Sequence, residues 1–155
     1  MDRVVVWFNK KIKDPLIEEL KQGITAKELA AACAVSLAIA VNPFIGTTTI
    51  LCLLAGKLLK LNHVVMQTIN YFSYPLQIAL IIPWIRLGEK ITGATAQPIE
   101  LSQILAEFSQ SFGNFLSKFL EMGFHAFLGW IVVIPGATWG LYKFLTFIFK
   151  RTLRT

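Results

Sequence analysis

LAAACAVSLAIAVNPFIGTTTILCLLAG, residues 29–56, is a run of 28 residues without a charge, and Asn42-Pro43-Phe44-Ile45-Gly46 sits at its centre. An uncharged apolar run of about 18 residues or more reads as membrane-embedded. Proline has no backbone donor and its ring clashes with the preceding turn, so a helix breaks there. The break divides the run into 13 residues (29–41) and 10 (47–56). A full helical span takes about 20 residues, so each half is predicted to reach only partway across.

The same pattern recurs. A second uncharged run covers residues 61–85 and contains Asn70, Ser73, Tyr74-Pro75 and Pro83; a third covers 122–142 and carries Pro135-Gly136. Each is predicted to kink or break near its middle. Pro43 precedes Gly56-Lys57 by 13 residues and Pro75 precedes Gly88-Glu89-Lys90 by the same 13, a faint internal repeat of two interrupted segments. Repeated interrupted helices build sites near the midplane of transporter folds.

Composition agrees. The chain has 155 residues, 55% apolar and 15% charged, a mean hydropathy of +0.60 and a net charge of +6. Soluble domains are about a quarter charged, and a domain of this size has too little interior to bury three such runs. Two cysteines, Cys33 and Cys52, make no disulfide framework, and two histidines supply no multi-ligand zinc site, so no metal and no cofactor is expected. Nucleic-acid binding wants a continuous basic patch on a soluble surface. Here the lysines flank apolar runs, and anionic membrane lipids are the simpler partner.

The predicted fold is therefore all-α, an integral membrane protein with proline-broken helices and an added amphipathic helix. Residues 1–23 read as an amphipathic N-terminal arm, with Asp14-Pro15 starting a helix and Gly23 closing it. Residues 24–155 form one membrane domain: a broken hairpin over 24–60, a second over 61–93, an amphipathic helix over 97–121 and a C-terminal membrane helix over 122–148. Thr25-Ala-Lys-Glu28 has capping-box spacing at the start of the first hairpin. Two topologies fit: three kinked crossings, or two re-entrant hairpins with both ends on one side. Every polar segment is basic, and the positive-inside tendency favours the hairpins and a multi-pass place in the bacterial inner (cytoplasmic) membrane. Ala30, Ala34 and Ala38 on one helix face, and Gly136-xxx-Gly140, let helices approach closely. Such faces serve packing within the chain or a homo-oligomer.

Pro43-Phe-Ile-Gly46 with the threonines after it, Leu58-Leu-Lys-Leu-Asn62, and a proline-centred motif before Leu87-Gly88 resemble the bacterial membrane family called domain of unknown function 2062. The likeness covers roughly residues 24–93 and continues loosely into the C-terminal apolar run. The family's first motif reads Pro-x-x-Gly-x-Gln-Thr, and Thr48 stands here in place of Gln while Thr49 matches. Its second motif, Asn-Pro-Leu-Thr, appears as Tyr74-Pro75-Leu76-Gln77, with Asn70 one turn upstream as a substitute amide. Some relatives look fused to family 2-type glycosyltransferases, which implies a link to lipid-linked glycans or envelope lipids.

Polar groups in lipid must face protein or a wet cavity. Asn42, Pro43, Gly46, Thr47, Thr48, Thr49, Asn70, Tyr74, Pro75 and Gln77 surround the predicted breaks and form the candidate substrate-binding set. If the tips meet, they make a neutral polar cluster at mid-depth. The alternative is that they cap half-helices and satisfy broken backbone. The runs carry no Asp, Glu, Lys or Arg, which disfavours an ion-coupled pump. The cysteines lack a catalytic partner arrangement, so no catalytic residue and no enzyme is expected. Transport or lipid handling is the leading expectation, and a non-transporting scaffold or anchor for an envelope enzyme is the alternative.

Overall fold

The computed structural model describes residues 24–96 and 111–152, and the secondary structure it shows there is helical throughout. The helices are α1 (Ala26–Ala40), α2 (Thr48–Leu59), α3 (His63–Phe72), α4 (Tyr74–Thr92) and α5 (Phe112–Thr152). The expected N-terminal arm, and the amphipathic helix up to residue 110, lie outside the described residues.

The helix ends follow the local chemistry. At the start of α1, Thr25 Oγ1 accepts from the Glu28 N–H at 3.3 Å and Glu28 Oε2 accepts from the Thr25 N–H at 2.8 Å, the reciprocal bond of a capping box. α1 stops before Pro43, whose ring disfavours helical backbone in the residue ahead of it. Asn42 Oδ1 then accepts from the Phe44 N–H at 2.7 Å, an Asx turn. Gly46 has φ +89°, a left-handed conformation that glycine adopts without penalty. α2 ends on Lys60 with φ 54°, and the Leu61 N–H reaches back to the Gly56 carbonyl at 2.9 Å. Asn62 caps α3 by accepting from the Val65 N–H at 3.0 Å.

The first run therefore breaks where expected. The second run divides at Ser73, beside the expected Tyr74-Pro75, and the third does not end at its proline. Only Ser73 separates α3 from α4, and the ladder continues across it, with Ser73 N–H to the Ile69 carbonyl at 2.9 Å and Gln77 N–H to the Ser73 carbonyl at 2.8 Å. Pro75 fits the first turn of α4, where its missing N–H has no helical partner to lose. Pro83 lies inside α4 and Pro135 inside α5, and neither ends its helix. A proline removes one rung of the ladder, and in both cases the helix continues past it. There is also no helix end at residues 121–122, because 112–152 is one helix. The expected amphipathic segment and the C-terminal membrane segment are continuous over the described residues.

Packing orders the helices. α1 and α2 run antiparallel from the break, with Ser36 Oγ 3.8 Å from Cys52 Sγ. α3 packs on both, and Ser36 Oγ donates to the Met66 carbonyl at 2.5 Å. Leu29, Ala32, Cys33, Cys52, Val65 and Met66 form this core, closed by Ile24, Leu61, Leu145 and Phe149. α4 packs chiefly on α5, around Val41, Trp84, Ile85 and Ala126. The halves of the second run thus go to different partners.

Glycines set the α4–α5 spacing. A Cβ on Gly88 would lie 1.8 Å from the His125 carbonyl oxygen, and one on Gly129 would lie 2.3 Å from that of Trp84. Gly136 and Gly140, the pair the sequence points to, face open space. Along α5, Phe115–Thr152 is long and apolar enough to cross a membrane, and its apolar 18-residue window carries no buried residue.

Candidate functional site

The last carbonyls of any helix have no partner within it. At the end of α1 three side chains from other helices supply donors. Trp130 Nε1 of α5 donates to the Ala38 carbonyl at 3.1 Å. Trp84 Nε1 of α4 donates to the Val41 carbonyl at 2.9 Å. Gln77 Nε2, also of α4, donates to the Asn42 carbonyl at 2.9 Å. Gln77 and Trp84 are two helical turns apart, so one face of α4 meets the broken end.

Within the loop, Asn42 Nδ2 lies 3.3 Å from Thr47 Oγ1, which in turn donates to the Phe44 carbonyl at 2.9 Å. Asn42 is 2% exposed and Gln77 1%. This half of the cluster is tightly bonded to itself.

The other half gathers on Thr49. Gln67 Nε2 donates to the Thr49 carbonyl at 3.2 Å, and Asn70 Nδ2 to Thr49 Oγ1 at 3.4 Å. Each amide donates one N–H there. Their oxygens, Gln67 Oε1 and Asn70 Oδ1, are buried without a hydrogen-bond partner. A buried acceptor left unpaired costs about 1–3 kcal/mol, and native structures keep few of them.

The structure thus joins Asn42, Thr47 and Gln77 in one group, and Thr49 and Asn70 in another. Thr48 is buried and Pro43 half-buried; Gly46, Tyr74 and Pro75 are exposed, the two prolines and the glycine shaping backbone rather than offering polar groups. Trp84, Trp130 and Gln67 belong to the network and were not among the expected site residues. The tryptophans could have been found by asking where a buried indole N–H goes, since it needs an acceptor.

The cluster is neutral and can offer hydrogen bonds rather than acid–base chemistry. Among the described residues no three His, Cys, Asp or Glu side chains group as metal ligands would. The nearest ionic feature on the same helix is Glu89, 3% exposed, whose Oε2 lies 2.8 Å from Arg86 Nη1.

No curated protein and no solved structure matches the chain. A model of the family of domain of unknown function 2062, described as "Uncharacterized protein conserved in bacteria", matches residues 9–155, well beyond the 24–93 stretch that carries the motifs. The broken helix at Pro43–Gly46 and the Pro75 junction thus lie in a chain that belongs to this bacterial family.

Proposed function

We propose that the protein is a lipid-handling protein embedded in the bacterial inner membrane, in which the α1–α2 hairpin is re-entrant while α3–α4 and α5 each cross. Charge placement supports this arrangement. Lys27, Lys57, Lys60, Lys143, Lys150 and Arg151 belong to the end where α1 begins, α2 ends and α5 ends; Arg86, Lys90 and Lys118 belong to the other. The richer end is cytoplasmic by the positive-inside tendency. Residues 122–142 of α5 are uncharged and extend about 32 Å at 1.5 Å per residue, matching a hydrocarbon core of about 30 Å. By the same rise, Leu29–Val41 brings the Asn42 break about 20 Å in from the basic end.

The observation that carries the functional reading is the pair of unpartnered amide oxygens, Gln67 Oε1 and Asn70 Oδ1, beside Thr49. In lipid such acceptors attract a donor: water, or the hydroxyl or ammonium of a headgroup. A polar foothold deep in an apolar slab lowers the barrier to moving a headgroup across it.

The test is lipid scrambling by the full chain in proteoliposomes, using fluorescent phospholipids and a membrane-impermeant quencher. Wild type should scramble, and Asn70→Leu and Thr49→Val should slow it by about ten-fold, the loss of about 1.4 kcal/mol. Folded wild-type protein without scrambling would sink this reading. It would favour a non-transporting scaffold for an envelope enzyme, which the well-bonded Asn42–Gln77 half of the cluster suits better.

A further inference from the structure

A slot of about 400 Å³ separates α1 from the C-terminal half of α5, lined by Ala31, Ala34, Pro135, Thr138, Trp139 and Tyr142. Its origin is a mismatch between two fixed contacts. At one end the Trp130 indole is bonded to the Ala38 carbonyl. At the other, Leu145 and Phe149 pack on the Leu29–Cys33 core. Between them α1 offers alanines and α5 a proline turn, and the helices do not close. The volume is that of a small-ligand pocket, and the lining, apart from Thr138 and the Tyr142 hydroxyl, suits hydrocarbon.

One end of the slot is basic. Lys143 Nζ sits 5.7 Å from the ring centroid of Trp139, itself a slot residue. Lys27 precedes Ala31 by one turn of α1, and because the two helices are antiparallel it belongs to the same end as Lys143. Arg151 lies there too, its guanidinium 4.3 Å from the Phe147 ring centroid. Glu28, the acidic residue of that first turn, is occupied by the Thr25 N–H and hydroxyl. The start of α1 adds the positive end of a helix dipole.

An apolar slot leading to lysines at a membrane boundary is complementary to one kind of molecule. We propose that it holds one acyl chain of an anionic phospholipid, with the phosphate between Lys143 and Lys27. This rests on the membrane placement given above and names the lipid class and its seat, away from the Thr49 cluster.

The test is native mass spectrometry of the full chain in detergent, titrated separately with phosphatidylglycerol and phosphatidylcholine of equal chain length. Wild type should bind phosphatidylglycerol about five-fold tighter or more, since one lysine near a membrane surface contributes about that factor. Lys143→Gln should lower the wild-type preference about five-fold, the share of one of the two lysines. Thr138→Phe, and independently Val35→Phe at a residue that also lines the slot from α1, should fill the slot and weaken both lipids by about ten-fold. Lys90→Gln, at the opposite end, should change neither. Equal affinity of wild type for the two headgroups would overturn the proposal, as would unchanged phosphatidylglycerol binding by both slot-filling variants. The readout is affinity, not translocation. Loss of scrambling with the lipid preference intact refutes the proposed function alone, and the converse refutes this site alone.

Discussion

The side-chain amide of Gln77 donates to the backbone carbonyl of Asn42 at 2.9 Å, joining two breaks 35 residues apart in sequence. The bond turns a local defect, a helix ended by proline, into a long-range constraint on α4. Gln77→Leu keeps the bulk and removes the donor, leaving the Asn42 carbonyl buried and unpaired. The expected cost is about 1–3 kcal/mol, read as a lower midpoint of thermal unfolding in detergent. An unchanged midpoint would mean that the bond contributes nothing.

Gly88 and Gly129 mark where α4 and α5 touch by backbone. Gly88→Ala places a Cβ 1.8 Å from the His125 carbonyl oxygen and must push the helices apart. Overpacking of this kind costs about 1–3 kcal/mol or more. Gly136→Ala meets nothing within 4 Å, and should stabilise α5 by up to about 1 kcal/mol through helix propensity. Comparing the two unfolding midpoints checks both, and equal effects would contradict the packing described.

Two of the described tryptophans differ sharply in surroundings. Trp139 is 67% exposed and Trp84 8%. In vesicles of brominated phospholipid, a variant keeping only Trp139 should be strongly quenched and one keeping only Trp84 much less. Equal quenching, or none, would count against α5 facing lipid.

Crossing number is read by single cysteines placed in a chain from which Cys33 and Cys52 have been replaced by alanine. Lys57→Cys and Thr152→Cys should react with an impermeant maleimide from the cytoplasmic side. Thr95→Cys, after α4, should react from the opposite side. Labelling of all three from one side would restore the second re-entrant hairpin and remove the crossing assigned to α3–α4.

Glu28 provides a pH test at the start of α1. The Thr25 backbone N–H, and then its hydroxyl, hold the Glu28 carboxyl below its ordinary value of 4.5. A depressed carboxylate stabilises the fold above its unfolded value, and that contribution disappears as pH falls through the folded one. Protection factors of the first-turn amides of α1, taken relative to the intrinsic exchange rate at each pH, should therefore fall on acidification below about 4.5 in wild type, and Glu28→Gln should remove the dependence.

Much of this was legible without coordinates, for identifiable reasons. The capping box at Thr25 and the end of α1 before Pro43 are consequences of neighbouring residues alone. Charge-free runs are legible for the same reason, since desolvating a charge is costly wherever the chain goes. By contrast, Pro43 and Pro83 are the same residue type with opposite outcomes, one ending a helix and one lying within it. Proline removes one donor in either place. Whether the helix continues depends on what packs on each side, which spacing does not encode. The Gly136-xxx-Gly140 pair and Gly88 show the same limit: small residues permit close approach, but only the position of a second helix uses it.

The chain by itself determined the helical character of the described residues, the first break and the polar residues around that break, because caps, prolines and missing charges act over a few residues. Only the tertiary structure decided that Gln77, Trp84 and Trp130 satisfy the broken end of α1, that Gln67 and Asn70 keep unpaired oxygens beside Thr49, and that α3 and α4 go to different partners. Those outcomes depend on helices that lie far apart in sequence. A hydrogen bond across 35 residues is set by where whole elements pack, and no local pattern carries that information.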